Sequence, residues 1–208
     1  MLNKLQAELE RIGPFVIAFS GGLDSAVLAA AAKRFNIPVR LIHINTFLQT
    51  TREYRMMKRV AKILDLPFQS IAVDMRGADF LQKNPPDRCY HCKRKIFSTI
   101  LANTPEGWKV ADGTQADDDE SDRPGSKAVK ELGIETPLRN VGLGKADLRR
   151  LAEEWNLPNA HSHSVSCLAT RIPFGEPVTA EKAAIIDRAE EEMVALGIEN
   201  IRMRMERK

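Results

Sequence analysis

Phe15-Val16-Ile17-Ala18-Phe19-Ser20-Gly21-Gly22-Leu23-Asp24-Ser25 runs into an alanine-rich stretch from Ala26 to Phe35. The apolar run reads as a buried strand, Gly21-Gly22 as a tight turn, and the alanines as a helix. A strand, a glycine turn and a helix N-terminus in that order make an anion site. Backbone N–H groups and the helix dipole point at the ligand, and the glycines let the backbone approach it closely. Ser20 and Ser25 add hydroxyl donors, and Asp24 is placed to orient a metal or to cap the helix. The loop lacks the Gly-Lys-Ser/Thr ending of a Walker A sequence. The plainer alternative is an N-capped helix after a turn, for which Ser and Asp are ordinary choices.

Outward from this loop, strand-like runs alternate with helical ones, the pattern of a doubly wound parallel sheet in an α/β fold. After a helix over 2–12 and strand one at 15–19, strand two is Val39–Ile44, with a helix over 51–64, and strand three is Gln69–Val73. A turn-rich loop, Asn84-Pro85-Pro86-Asp87, leads to a helix from Tyr90 to Asn103. Strand four is Trp108–Ala111, and a helix over 125–132, a strand near Glu135–Leu138 and a helix over 145–155 complete the sheet. Residues 159–178 lack either periodicity and hold His161, His163, Cys167, Arg171 and two prolines. A long segment of this kind is usually functional or disordered. A helix capped by Thr179 follows, and Ile201–Met205 alternates like a strand. One strand cannot bury itself alone, so that segment must pair with something, or the chain is cut short. Two units are expected: 1–158, a nucleotide-binding domain, and 159–208, an active-site loop with a truncated C-terminal substrate-binding extension.

The 208 residues suffice for one domain with a real core, and the net charge of +3 does not call for nucleic acid. No long apolar stretch or signal region is present, so a soluble cytoplasmic protein without membrane partners is expected. In an open parallel sheet, ligands bind beyond the carboxyl ends of the strands. Four features fall there: the Ser20–Ser25 loop; His43-Ile44-Asn45, where an adenosine moiety would lie; Asp112-Gly113-Thr114 with Asp117 and Asp118; and Gly142-Leu143-Gly144-Lys145. Asp112, Asp117 and Asp118 offer oxygen ligands for Mg²⁺ near a triphosphate. Lys145 and Arg171 are candidates for neutralising phosphate, whereas Asp119 and Glu120 read as a solvated loop.

The chain has three cysteines, two of them in Cys89-Tyr90-His91-Cys92. Arg88 precedes this stretch and Lys93-Arg94-Lys95 follows it, at a loop-to-helix junction. Such surroundings are expected to lower a thiol pKa. With Cys167, the three thiolates suit a [4Fe–4S] cluster with one open iron. They equally suit a zinc site completed by His91, His161 or His163, and unrelated cysteines are the remaining alternative.

The Ser20–Ser25 loop resembles the SGGxDS loop of the ATP pyrophosphatases, or PP-loop enzymes. Asn84–Lys93, Asp112-Gly113-Thr114, Arg123-Pro124-Gly125 and Ser166–Gly175 (Ser-Cys-Leu-Ala-Thr-Arg-Ile-Pro-Phe-Gly) are similar to segments of the LarE-type ATP-dependent sulfur transferases. The resemblance implies the adenine nucleotide alpha hydrolase-like fold with a short C-terminal helix-strand extension. It implies ATP and Mg²⁺ as cofactors, and Ser20, Gly21, Gly22, Asp24, Ser25, Asn45, Asp112, Gly113, Lys145 and Arg171 as their binding residues. In that family a carboxylate of a pyridinium dicarboxylate mononucleotide is adenylated, and sulfur is inserted on the way to a nickel-pincer cofactor. Some members sacrifice the sulfur of one cysteine, similar in position to Cys167. Members with three cysteines imply a [4Fe–4S] cluster on Cys89, Cys92 and Cys167. Arg202 and Arg204 resemble the family's phosphate-binding arginines, and Glu190 a nearby acidic position. Cys167, Asp24 and Glu190 are therefore the expected catalytic residues, and a homo-oligomer is compatible with the resemblance. A tRNA thiolase, which Lys145-Ala146-Asp147-Leu148-Arg149 also resembles, is a competing reading. An amide-forming PP-loop synthetase, or a non-catalytic nucleotide-responsive iron–sulfur or zinc module, is another.

Overall fold

The computed structural model describes residues 1–118, 124–163, 165–198 and 200–206. Asp119, Glu120 and Arg123, named above, lie outside the described residues. The sheet has four parallel strands in the order β3-β2-β1-β4: β1 Phe15–Ala18, β2 Val39–Asn45, β3 Phe68–Ala72 and β4 Lys109–Ala111. Strand residues point alternately to opposite faces. Phe15, Ile17, Val39 and Leu41 therefore enter one core, and Val16, Ile42 and Val110 the other. Helices α1 (Leu2–Ile12), α2 (Leu23–Arg34), α3 (Thr51–Leu64) and, further along the chain, α8 (Lys145–Glu154) cover the first face. On the second lie α5 (Arg88–Ala102) and α6 (Pro124–Glu131). This is a doubly wound α/β arrangement.

Helix α2 packs against α1, α3 and α8, and every residue from Ser25 to Ala32 is buried. Alanine suits it because a short side chain lets neighbouring helices approach on all sides. The turn before it is equally tight. Gly21 has φ +78, and a Cβ there would lie 2.4 Å from the Met57 Cα and Cβ of α3.

A third core joins Leu48, Met75, Leu81, Leu168, Ala169, Ile172, Val178, Ala183 and Ile186. It carries the short α4 (Asp79–Gln82), the 3₁₀ turn Leu168–Arg171 and α9 (Ala180–Ala195). The described residues of 159–178 thus have almost no regular structure beyond the 3₁₀ turn, but Leu168, Ala169, Arg171, Ile172 and Val178 are buried. Leu168 N–H donates to the Leu48 carbonyl at 2.9 Å, and Val178 N–H to that of Leu81 at 2.8 Å.

Two expected strands take other forms. Near Glu135–Leu138 only one parallel bridge, Ala111 to Glu135, is made. Pro137 then opens the short α7 (Pro137–Asn140), because it has no N–H for a ladder but suits a first helical turn. Ile201–Met205 forms no strand among the described residues. Its amides are held instead by the Glu190 carboxylate, bound by Met203 N–H at 3.0 Å, and by the Arg171 carbonyl, bound by Met205 N–H at 2.9 Å.

Gly21→Ala forces a Cβ into the α3 backbone at a left-handed position. Urea unfolding is expected to show a loss of about 2 kcal/mol or more, with a tertiary signal weakened around α3.

Candidate functional site

The strand order reverses between the parallel neighbours β1 and β4, and their following loops meet at that switch point. Gly22 begins α2 without a side-chain cap, so the first-turn amides keep their orphan donors. Ser20 Oγ accepts from Gly22 N–H at 3.2 Å and sits 3.1 Å from Ser25 Oγ. Gly113 presses on the same turn: a Cβ there would lie 2.8 Å from Ser25 N. No larger residue fits between the two loops.

Two cavities flank this loop, and Ser20, Gly22, Asp24 and Glu53 line both. The sheet-end cavity, about 460 Å³, is walled by Phe19, Ile42, His43, Ile44, Asp112, Thr114 and Asp118, and it reaches Cys92, Lys93 and Cys167. The α3 cavity, about 420 Å³, is walled by Arg52, Lys145, Asn159, Ser162, His163, Arg171 and Arg202. Both volumes suit a nucleotide-sized ligand.

Burial raises the pKa of Asp24, and the charges of Asp118 and Asp112 push the same way. The Lys145 ammonium, 2.7 Å from its Oδ1, opposes them. Carboxylates that repel one another in a cavity call for a cation. Asp117 is used elsewhere. Its Oδ2 accepts from Lys145 N–H at 2.7 Å at the start of α8, in space that Gly144 leaves open.

The start of α5 is stapled to the segment carrying Cys167. Buried Arg88 donates to Asn84 Oδ1 and to the Ala169 carbonyl at 3.3 Å. Asn84 Nδ2 in turn donates to the Pro173 carbonyl at 2.8 Å. Cys92 and Cys167 both pack on the third core, while Cys89 is exposed. Burial pushes the Cys92 thiol up to about 12, and the charges of Cys167 and Cys89 add to this. Cys167 is also raised, mainly by burial. The expectation of a lowered thiol pKa is thus corrected for Cys92: Arg88 and Lys93 act downward on it, but burial outweighs them. Three mutually coupled thiols with two cations beside them are a donor set that suits an anionic iron–sulfur cluster. As they stand, no three His, Cys, Asp or Glu side chains among the described residues form a metal-holding group. His91 is turned toward Asp87 at 3.4 Å, His161 toward Glu153 at 3.6 Å, and His163 lines the other cavity.

Arg171 and Glu190 are each 1% exposed and doubly bonded, at 2.9 and 3.1 Å. Arg171 Nη1 also donates to the carbonyls of Ser166 and of Cys167, the latter at 3.1 Å. Arg52 Nη2 reaches the same carboxylate at 2.7 Å. Arg171 borders the α3 cavity, with Nη1 holding the Cys167 backbone and Nε and Nη2 holding Glu190. Glu190 is the hub of that network. Burial alone would raise its pKa, but the bonds from Arg171, Met203 N–H and Arg52 together hold it below 4.5.

A family model of the queuosine biosynthesis protein QueC matches residues 14–84, from β1 through the glycine loop to Asn84. A pyridinium-3,5-bisthiocarboxylic acid mononucleotide synthase of Lactiplantibacillus plantarum is 29% identical over 96% of this chain and 74% of its own length. An uncharacterized protein of Methanocaldococcus jannaschii is 30% identical over 85% of this chain and 68% of its own. One of Synechocystis is 29% identical over 99% and 76%. The chain belongs to the LarE-type family of PP-loop proteins. Membership makes it an enzyme of the sulfur-transfer type.

Of the residues expected from the LarE-type pattern, the fold brings Ser20, Gly22, Asp24, Ser25, Asp112, Gly113, Cys92 and Cys167 to one cavity. Ser20, Gly21, Gly22, Asp24, Lys145, Arg171 and Arg202 border the other. Asn45 lines neither; its neighbours Ile44 and Thr46 face the sheet-end cavity instead. Arg204 is exposed and lines neither, and Glu190 lies behind Arg171. Sequence reasoning missed Arg52, Glu53 and Asn159. The only local signal was the Thr50–Glu53 capping box at the start of α3.

Two outcomes follow for this site. Glu190→Gln leaves the Arg171 charge buried and unpaired, which costs about 3–5 kcal/mol near neutrality in urea unfolding. Because the folded carboxyl titrates below 4.5, that advantage of the wild type is complete above this pH. It disappears as pH falls through the folded value. In metal-free protein at neutral pH, iodoacetamide is expected to alkylate exposed Cys89 first. Mass spectrometry should show Cys92 reacting about tenfold or more slowly.

Proposed function

We propose that this protein activates a substrate carboxylate with ATP and replaces the activated oxygen by sulfur. The observation that carries the reading is the shared wall: the Ser20–Asp24 loop borders one cavity that ends at Cys92 and Cys167 and another lined by cations. ATP would lie in the sheet-end cavity, its phosphates on the α2 amides, with Asp24, Asp112 and Asp118 holding Mg²⁺. The acceptor would enter from the α3 cavity. A carboxylate oxygen attacks the α-phosphorus, the bond to the β-phosphate oxygen breaks, and pyrophosphate leaves with its charge met by prepositioned donors and Lys145. Sulfur then adds to the acyl carbon, and AMP departs with the electrons of the acyl C–O bond, leaving a thiocarboxylate.

Cys89, Cys92 and Cys167 would hold a [4Fe–4S] cluster. When bound, it would supply the sulfur nucleophile at its open iron. Arg171 is a positioning residue that fixes the Cys167 backbone, and Arg88 fixes the start of α5 against it. Both keep the sulfur side of the site at a set distance from the nucleotide side. The acceptor we favour is a pyridinium dicarboxylate mononucleotide, since the Lactiplantibacillus plantarum relative is named for synthesis of the corresponding bisthiocarboxylic acid. In this reading residues 1–158 handle ATP and 159–208 supply Cys167 and the acceptor contacts. Three free thiols suit the reducing cytoplasm. Among the described residues, no helix is long and apolar enough to cross a membrane.

The test is pyrophosphate release by anaerobically reconstituted protein. It should require the carboxylate substrate and fall about a hundredfold in Asp24→Asn. Serine at Cys89, Cys92 or Cys167 should spare pyrophosphate release and abolish the thiocarboxylate. Release stimulated by RNA instead would favour a tRNA thiolase, and nucleotide binding without release would leave a non-catalytic module.

A further inference from the structure

Cys92 is followed on α5 by Lys93-Arg94-Lys95, and the fold sends these three cations in different directions. Lys95 is exposed, and Arg94, also exposed, donates to the Tyr90 hydroxyl at 3.1 Å. Lys93 turns inward instead. Its stem crosses Gly125 of α6, where a Cβ would lie 2.8 Å from the Lys93 Cδ, and its Nζ stands 4.0 Å from Asp112 Oδ2.

Four carboxylates line the sheet-end cavity, those of Asp24, Glu53, Asp112 and Asp118. Lys93 is the one lysine or arginine among the described residues that line it. Lys145 borders the α3 cavity and is held by Asp24 at 2.7 Å. At 4.0 Å from Asp112 the Lys93 ammonium feels a charge but makes no hydrogen bond to it. Asp112 Oδ1 is meanwhile taken by Thr114 N–H at 2.9 Å. The ammonium donors of Lys93 are therefore left for a ligand, with Cys92 on one side and the end of β4 on the other. Open donors on a cation at the sulfur end of a cavity suit an anionic oxygen.

We propose that Lys93 is a catalytic residue of the second half-reaction, holding the phosphate that departs as AMP. This role rests on the reading of the sheet-end cavity as the ATP site. In an acyl adenylate the phosphate carries a single negative charge. As the sulfur–carbon bond forms, the acyl C–O bond breaks and its electron pair stays on the phosphate oxygen, so AMP leaves doubly charged. An ammonium beside that oxygen gains most as the second charge appears. That is the condition for speeding the step rather than only binding the intermediate. Each leaving group thus has its own lysine, Lys145 for pyrophosphate and Lys93 for AMP, on opposite sides of the glycine loop.

The experiment titrates the full chain, free of any cluster, by NMR with AMP and with its methyl ester, which keeps a single phosphate charge as the acyl adenylate does. Titrations run at about pH 8, where a phosphate monoester is doubly charged. Divalent cations are left out, so that a metal cannot answer the second charge. The wild type should bind AMP about tenfold more tightly than the ester. Lys93→Gln should bring that ratio to one or below, and Lys93→Arg should restore a preference for AMP. Lys95→Gln, outside the cavity, should leave the wild-type ratio. A wild-type ratio near one overturns the proposal, as does failure of AMP to bind or an undiminished ratio in Lys93→Gln. An equal loss in Lys95→Gln also overturns it, because the effect would then belong to the general charge of α5. In reconstituted protein, Lys93→Gln should keep the pyrophosphate burst and slow AMP release about a hundredfold; slowing both alike would overturn the assignment to the second step. Absence of carboxylate-dependent pyrophosphate release in the wild type, with the AMP ratio and its Lys93 dependence intact, would sink the proposed chemistry and leave Lys93 as the ligand of the AMP phosphate.

Discussion

Arg171 and Glu190 lie together out of water, and much of the site hangs on that one pair. Two charges gain net stability in such a place only when every remaining donor and acceptor is also used. Here they are used by the Ser166 and Cys167 carbonyls, by Arg52 and by the Met203 amide. The pair therefore joins the 3₁₀ turn, α9, the C-terminal segment and the first turn of α3. An apolar pair of equal volume would bury as well, but it could not hold a carbonyl next to a cysteine in one orientation. The Arg88–Asn84 contact does the same for the start of α5.

The two cavities follow from topology. Reversal of strand order between β1 and β4 opens a crevice beyond the strand ends, and the glycine loop divides it. Glycine at 21 and 113 is demanded by close approach: Met57 presses on one and the α2 backbone on the other. A single short loop can then present amides to ligands on two sides. The proposed transfer from one ligand to another needs that proximity, because shared location and orientation lower a barrier.

Much of this was legible beforehand. Alternating strands and helices, the Gly-Gly turn and the alanine helix each carry a local signal, and the structure keeps all of them. The expected strand near Glu135 shrank to one bridge, because Pro137 ends the ladder. The strand at Ile201–Met205 never formed, because side-chain and turn partners took its amides first. The Cys92 thiol was misjudged for a similar reason. Basic neighbours in sequence suggested low pKa values, whereas burial against Leu168 and its core is a property of the fold.

The order of elements, the glycine loop and the chemical types available to the site were determined by the sequence alone, because each depends on residues adjacent in the chain. The tertiary structure decided which of them meet. Asn159 reaches Gly21, Arg52 reaches Glu190, and Cys167 approaches Cys92 only after distant segments share a core. No local pattern encodes those pairings, since the energy that selects them is the burial of whole helices and not the preference of any one residue.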